Sequence, residues 1–130
     1  NIIMILNQHT LNELSELEVL KIVLNEISEI VIPNCKVVKR GDYFLAVIPE
    51  EFSPLIIPIK ITEIVLISDF LNTPIRKTRK RKNHNLVSYD PKSYSNTYII
   101  HLPKLLNNVW ECHWKNKKPL IVVLKMDKNI

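Results

Sequence analysis

The ten positions from Ile75 to His84 read I-R-K-T-R-K-R-K-N-H, and they hold Arg76, Lys77, Arg79, Lys80, Arg81 and Lys82 within seven consecutive residues. No acid occurs between Asp69 and Asp90. The chain carries 18 Lys and Arg against 13 Asp and Glu, a formal charge of +5. Removing the six cations of this run from 18 leaves 12, so the entire positive excess lives there. A block of one sign repels itself, resists burial and is most stable beside an anion. The chemistry it offers is phosphate neutralisation. Tyr89 and Tyr94, with Tyr98 beyond them, supply rings on which bases can stack, so the pattern points to nucleic-acid binding. Phosphate contacts carry affinity without base information, and the binding expected is largely sequence-independent. An acidic protein is the other polyanion this run could meet; the chain would then be a small interaction or assembly factor.

Other chemistries find little support. Gly41 is the only glycine, which excludes G-x-G-x-x-G and Walker cradles. His9, His84, His101 and His113 fit no zinc-ligand spacing, and no G-x-S-x-G elbow exists, so neither a metal site nor a resident cofactor is expected. His113 falls on an apolar helix face and reads as a hydrogen-bonded core residue. Cys35 and Cys112 stand far apart without C-x-x-C spacing, as reduced thiols do in an intracellular protein, cytoplasmic or nucleoid-associated. The apolar runs are far shorter than the roughly 20 residues of a membrane helix, and no membrane partner is expected. The opening Asn1 to Leu6 has no basic flank before it and does not read as a signal peptide. Heavy use of Ile, Asn and Lys looks like an AT-rich genome and carries no chemistry.

The elements that must position these residues follow from periodicity. With 130 residues, 46% of them hydrophobic, the chain can form one core. Asn1 to Leu6 reads as a buried strand. Thr10 and Glu13 have capping-box spacing, and Leu14, Leu17, Leu20, Leu24, Ile27 and Val31 recur at helical intervals up to Pro33. Lys36 to Lys39 and Tyr43 to Ile48 flank Arg40-Gly41-Asp42 as a hairpin. Leu55 to Ile67 is β-branched and reads as one bent strand or two. Phe70 to Asn96 loses all pattern and reads as a mobile basic loop. Thr97 to His101 resumes as a strand, Pro103 opens a second helix with Leu105, Leu106, Val109, Trp110 and His113 on one face, and Leu120 to Leu124 is a buried strand. The fold expected is a single α+β domain over residues 1–130. Its mixed sheet of five to six strands is packed by two helices, with the long basic loop at 70–96.

The succession of helix, three strands, helix and strand resembles the restriction-endonuclease-like (PD-(D/E)XK) nucleases, of the archaeal resolvase type. On that resemblance, Glu13 or Glu16 in the first helix and Asp42 in G-D-Y-F-L-A-V match the family's carboxylates, and Lys60 in I-P-I-K matches its final lysine. Pro58 stands where the family carries Asp or Glu. The resemblance implies a Mg²⁺-dependent nuclease in which Glu16 and Asp42 hold the metal and Lys60 orients the attacking water.

Overall fold

The computed structural model describes residues 2–5, 27–56, 60–80, 85–90 and 97–126. Its strands are β1 (Ile2–Ile5), β2 (Ile27–Arg40), β3 (Tyr43–Val47), β4 (Ile61–Ile67), β5 (Ile75–Thr78), β6 (Ser88–Tyr89), β7 (Tyr98–His101) and β8 (Leu120–Met126). A 3₁₀ segment covers Glu50–Leu55, and a second one, Lys104–Leu106, runs into the helix α1 (Asn107–Lys115). Seven strands form one antiparallel sheet in the order β5-β4-β8-β2-β3-β7-β6, while β1 pairs parallel to the start of β2. The sheet curls into a half-barrel, and the fold is a mostly-β single domain.

That architecture corrects the α+β expectation of a five- to six-stranded mixed sheet under two helices. The expected first helix lies, as far as Glu26, outside the described residues; its expected last turn does not form, because Ile27 to Val31 belong to β2. The segment I-S-E-I-V-I satisfies both periods, and its β-branched side chains favour the extended one. Pro33 and Asn34 fall where the β2–β8 register shifts between Ile32 and Cys35, so the proline that looked like a helix stop is accommodated by a bulge. The basic loop is corrected too. Ile75–Thr78 is an edge strand on β4, and Ser88–Tyr89 pairs with β7. Charged residues are common on edge strands, where they discourage further pairing.

Register explains the core. Ile30, Leu124 and Ile64 pair across β2, β8 and β4, and Ile32, Val122 and Leu66 form the next row; all six are fully buried on the concave face. Helix α1 packs against β2 and β3, contributing the buried Val109, Trp110 and His113, with the Trp110 indole N–H donating to the Pro103 carbonyl at 2.9 Å. Leu105, expected on that face, is 97% exposed. It precedes α1 in the 3₁₀ segment, where the tighter winding rotates it away from the sheet. Cys35 is buried in this core, which pushes its thiol up to about 12.

Candidate nucleic-acid interface

The alternation of β5 splits the basic run between two faces. Lys77 pairs with Ile64 and thus ends the concave row Ile30–Leu124–Ile64 at the sheet margin. Arg76 points to the convex face, where its Nη1 donates to Glu63 Oε1 at 2.7 Å. Glu63 also meets Lys125 Nζ at 3.4 Å, and Lys125 reaches Glu29 at 3.8 Å, so a ladder of alternating charge crosses β5, β4, β8 and β2. Burial works to raise the Glu63 carboxyl, but the hydrogen bonds and charges of Arg76 and Lys125 outweigh it and hold the group below its ordinary range. Arg76 is therefore already neutralised.

Lys77 has no such acid among the described residues. Its Nζ donates to the His101 carbonyl on β7 at 2.8 Å, bridging the seam where the sheet curls round on itself. β6 pairs only with Tyr98 and Ile99, which leaves His101 beyond its cover. Burial, then the charge of Lys80, pushes the Lys77 amine below its usual range. Burial, then Lys77 and Arg40, does the same to the His101 imidazole. Arg40 is clamped by Asp90 through two hydrogen bonds of 3.0 and 2.6 Å, and Asp90 is only 3% exposed. That bond holds the guanidinium above its ordinary value. The Tyr43 ring stands 5.9 Å from that of His101. The seam thus gathers Lys77, Lys80, Arg40 and His101 beside an aromatic ring, with one buried acid among them.

The remaining candidates are not brought to this place. Arg81, Lys82 and Tyr94 lie outside the described residues, as does Glu16. Arg79 follows β5 and is half-buried. Tyr89, half-exposed on β6, packs edge-to-face on Tyr98 at 6.2 Å, and both line a hollow of about 410 Å³ with Glu50, Ser53 and Pro54. Asp42 is exposed in the turn after β2, 3.5 Å from Lys104 Nζ. Lys60 precedes Ile61, which pairs with Met126 beside the opposite end of β2, so nearly the whole of that strand separates it from Asp42. These residues do not fit a Mg²⁺ site, and no cluster of three metal-ligating side chains forms among the described residues.

A second concavity, of about 380 Å³, lies between the β2 bulge and the end of α1, lined by Asn34, Lys36, Val37, His113, Trp114, Lys117, Lys118 and Pro119. Helix α1 ends in a Schellman motif: Lys118 N–H donates to the His113 carbonyl at 2.9 Å and Lys117 N–H to the Trp114 carbonyl at 3.3 Å. The position between cap and exit takes a left-handed backbone, and Lys117 holds it with φ 52° where glycine is preferred. That conformation costs an L-residue about 1 kcal/mol. His113 is almost wholly buried; its Nδ1–H donates to the Lys118 carbonyl at 2.9 Å, and its Nε2 hydrogen-bonds with Ser68 Oγ at 2.6 Å. Ser68 Oγ also accepts the Phe70 N–H at 3.0 Å. Serine and histidine are a nucleophile and a base by type, but here both are buried and engaged, and they tie α1 to the end of β4.

No protein-family model, curated protein or solved structure matches the chain.

Sequence reasoning found the cations and missed their company. Arg40 was visible only as part of a turn, and Asp90 only as the acid that ends the basic interval. His101 enters the seam through its backbone carbonyl, which any residue carries, so no side-chain pattern marks it. Trp114 and Lys117 fall outside the apolar stripe of α1 and leave no periodic signal.

Proposed function

We propose that the chain binds nucleic acid, DNA or RNA, through phosphates and largely without regard to sequence, using the seam between β5 and β7. The observation that carries the reading is the contact of Lys77 Nζ with the His101 carbonyl, because it joins the basic run to Arg40, His101 and Tyr43 across the curl of the sheet. Arg40 is already paired with Asp90, but Lys77 and His101 are disfavoured as cations by burial and by neighbouring charge, and a phosphate entering there relieves that cost while releasing counterions from the nucleic acid. Tyr43 offers a ring face or edge to a base beside the phosphate.

A pair of salt titrations tests it. The logarithm of affinity for mixed-sequence duplex should fall linearly with the logarithm of salt, by about 0.9 per phosphate neutralised. Changing Lys77 and Lys80 together to Gln should flatten that slope by roughly one to two units and weaken binding to unrelated sequences alike. Arg76→Gln should change the slope less, since Glu63 already occupies that guanidinium. An unchanged slope in the Lys77/Lys80 variant removes the seam from nucleic-acid binding and leaves an acidic protein as the anion to look for.

A further inference from the structure

The geometry points to a nucleotide-binding pocket between the β2 bulge and the end of α1, with Lys117 meeting a phosphate and Trp114 stacking on the base. It does not depend on the seam. The cavity, about 380 Å³, lies within the range of small-ligand sites. Lys117 is exposed and makes no ion pair among the described residues, whereas Lys118, on the same rim, is held by Asp69 at 2.9 Å. Trp114 is 39% exposed, which leaves part of the indole open to a ligand. Lys39 Nζ lies 5.3 Å from its ring centroid and Phe44 packs edge-on at 6.2 Å, so the indole is fixed in place while it lines the pocket.

A helix C-terminus ordinarily repels anions, because its last carbonyls carry partial negative charge. Here three of the last four carbonyls are covered. The Cys112 carbonyl accepts from the Asn116 backbone and side chain, those of His113 and Trp114 accept from Lys118 and Lys117, and the Lys118 carbonyl accepts from His113. What the helix end presents to the pocket is thus mainly cationic side chain. Lys117 adds an independent sign. It occupies a left-handed position that glycine would fill without strain, which places a lysine on the rim at a cost in folding stability.

Stacking is tolerant of base identity, so AMP serves as the probe, with adenosine and inorganic phosphate each supplying half of the ligand. Binding is followed by calorimetry. AMP should bind saturably, and adenosine or phosphate alone at least about tenfold more weakly, since each loses one of the two contacts. Lys117→Gly should weaken AMP binding by about fivefold or more while raising the melting temperature, a combination that misfolding cannot produce. Trp114→Leu should weaken AMP and adenosine together and leave phosphate unchanged. Oligoadenylate, tested in the Lys77→Gln, Lys80→Gln background to silence the seam, separates two sources of the same chemistry. Tighter binding than AMP, lost on Lys117→Gly, identifies a unit of a strand; equal binding identifies a free nucleotide. The pocket is overturned if neither AMP nor oligoadenylate binds saturably, or if Lys117→Gly leaves both affinities as they were.

Discussion

Lys77 and His101 belong to strands with four others between them in the sheet, yet Lys77 Nζ donates to the His101 carbonyl at 2.8 Å. A closed barrel would join its margins by a backbone ladder. Here the Lys77 side chain bridges the two strands instead. The bridging amine is desolvated by its position, and it stands close enough to the His101 imidazole to depress it.

The depression of His101 predicts a pH response of opposite sign for folding and binding. Burial, Lys77 and Arg40 favour the neutral imidazole in the folded protein, so the stability present above the ordinary value of 6.5 falls as pH drops through the lowered one. A phosphate in the seam would instead favour the imidazolium. Affinity for nucleic acid should therefore rise over the same interval in which the melting temperature declines, with uptake of at most one proton. His101→Gln should abolish both trends. Parallel melting and binding series from about pH 8 to about pH 5 decide it, and affinity that does not change with pH counts against His101 facing the phosphate.

The charge ladder on the convex face makes a separate prediction. Glu63 is the acid shared by Arg76 and Lys125. Glu63→Gln should cost only about 1 kcal/mol, because the partners are solvated. The native carboxylate is held below its ordinary 4.5, so its contribution is present above that value and is lost as pH falls through the lowered one. Acid denaturation of the variant should accordingly lack that part of the decline. Under the proposed function, releasing Arg76 should also strengthen nucleic-acid binding slightly.

What could be read from the chain was local. The β2–β3 hairpin around Gly41, the strand at Tyr98–His101, the helix after Pro103 and the apolar β8 each announce themselves by a breaker and a period within a dozen residues. Ile75–Thr78 does not, because its pairing with β4 fixes it while its composition advertises only charge. Ile27 to Val31 fits helix and strand alike, and the choice falls to partners on β1 and β8 that are remote in sequence. The seam is harder still. It exists because the sheet curls, a property of all seven strands, so the types of Lys77 and Lys80 were legible and their convergence with Arg40 and His101 was not.

Leu105 and Ile64 test the packing. Both are large and apolar, but Leu105 is almost fully exposed and Ile64 is central to a buried row. Ile64→Ala should cost roughly 2 to 5 kcal/mol in a denaturant titration, and Leu105→Ala no more than about 0.5 kcal/mol. Comparable losses at the two positions would mean that Leu105 packs inward after all.

Gly41 allows the most direct test of backbone against contact. It is the first residue of the two-residue loop joining Arg40 to Tyr43, and its φ of 61° is the positive value that primed hairpin turns demand at that position. A Cβ at this position would meet nothing within 4 Å. Steric clash with neighbours is thus absent, and any cost of Gly41→Ala must come from holding an alanine in the left-handed region, about 1 kcal/mol or slightly more. Asn tolerates that region better, so Gly41→Asn should cost less than Gly41→Ala. Both should lower the denaturant midpoint without altering the slope, since the surface exposed on unfolding is the same. Arg40 and Tyr43 flank this loop, so the alanine variant should also loosen the seam and weaken nucleic-acid binding modestly. An alanine substitution that leaves stability unchanged would show that the turn does not require positive φ. A loss above about 3 kcal/mol would mean that the loop is packed against something, contrary to the open space around it.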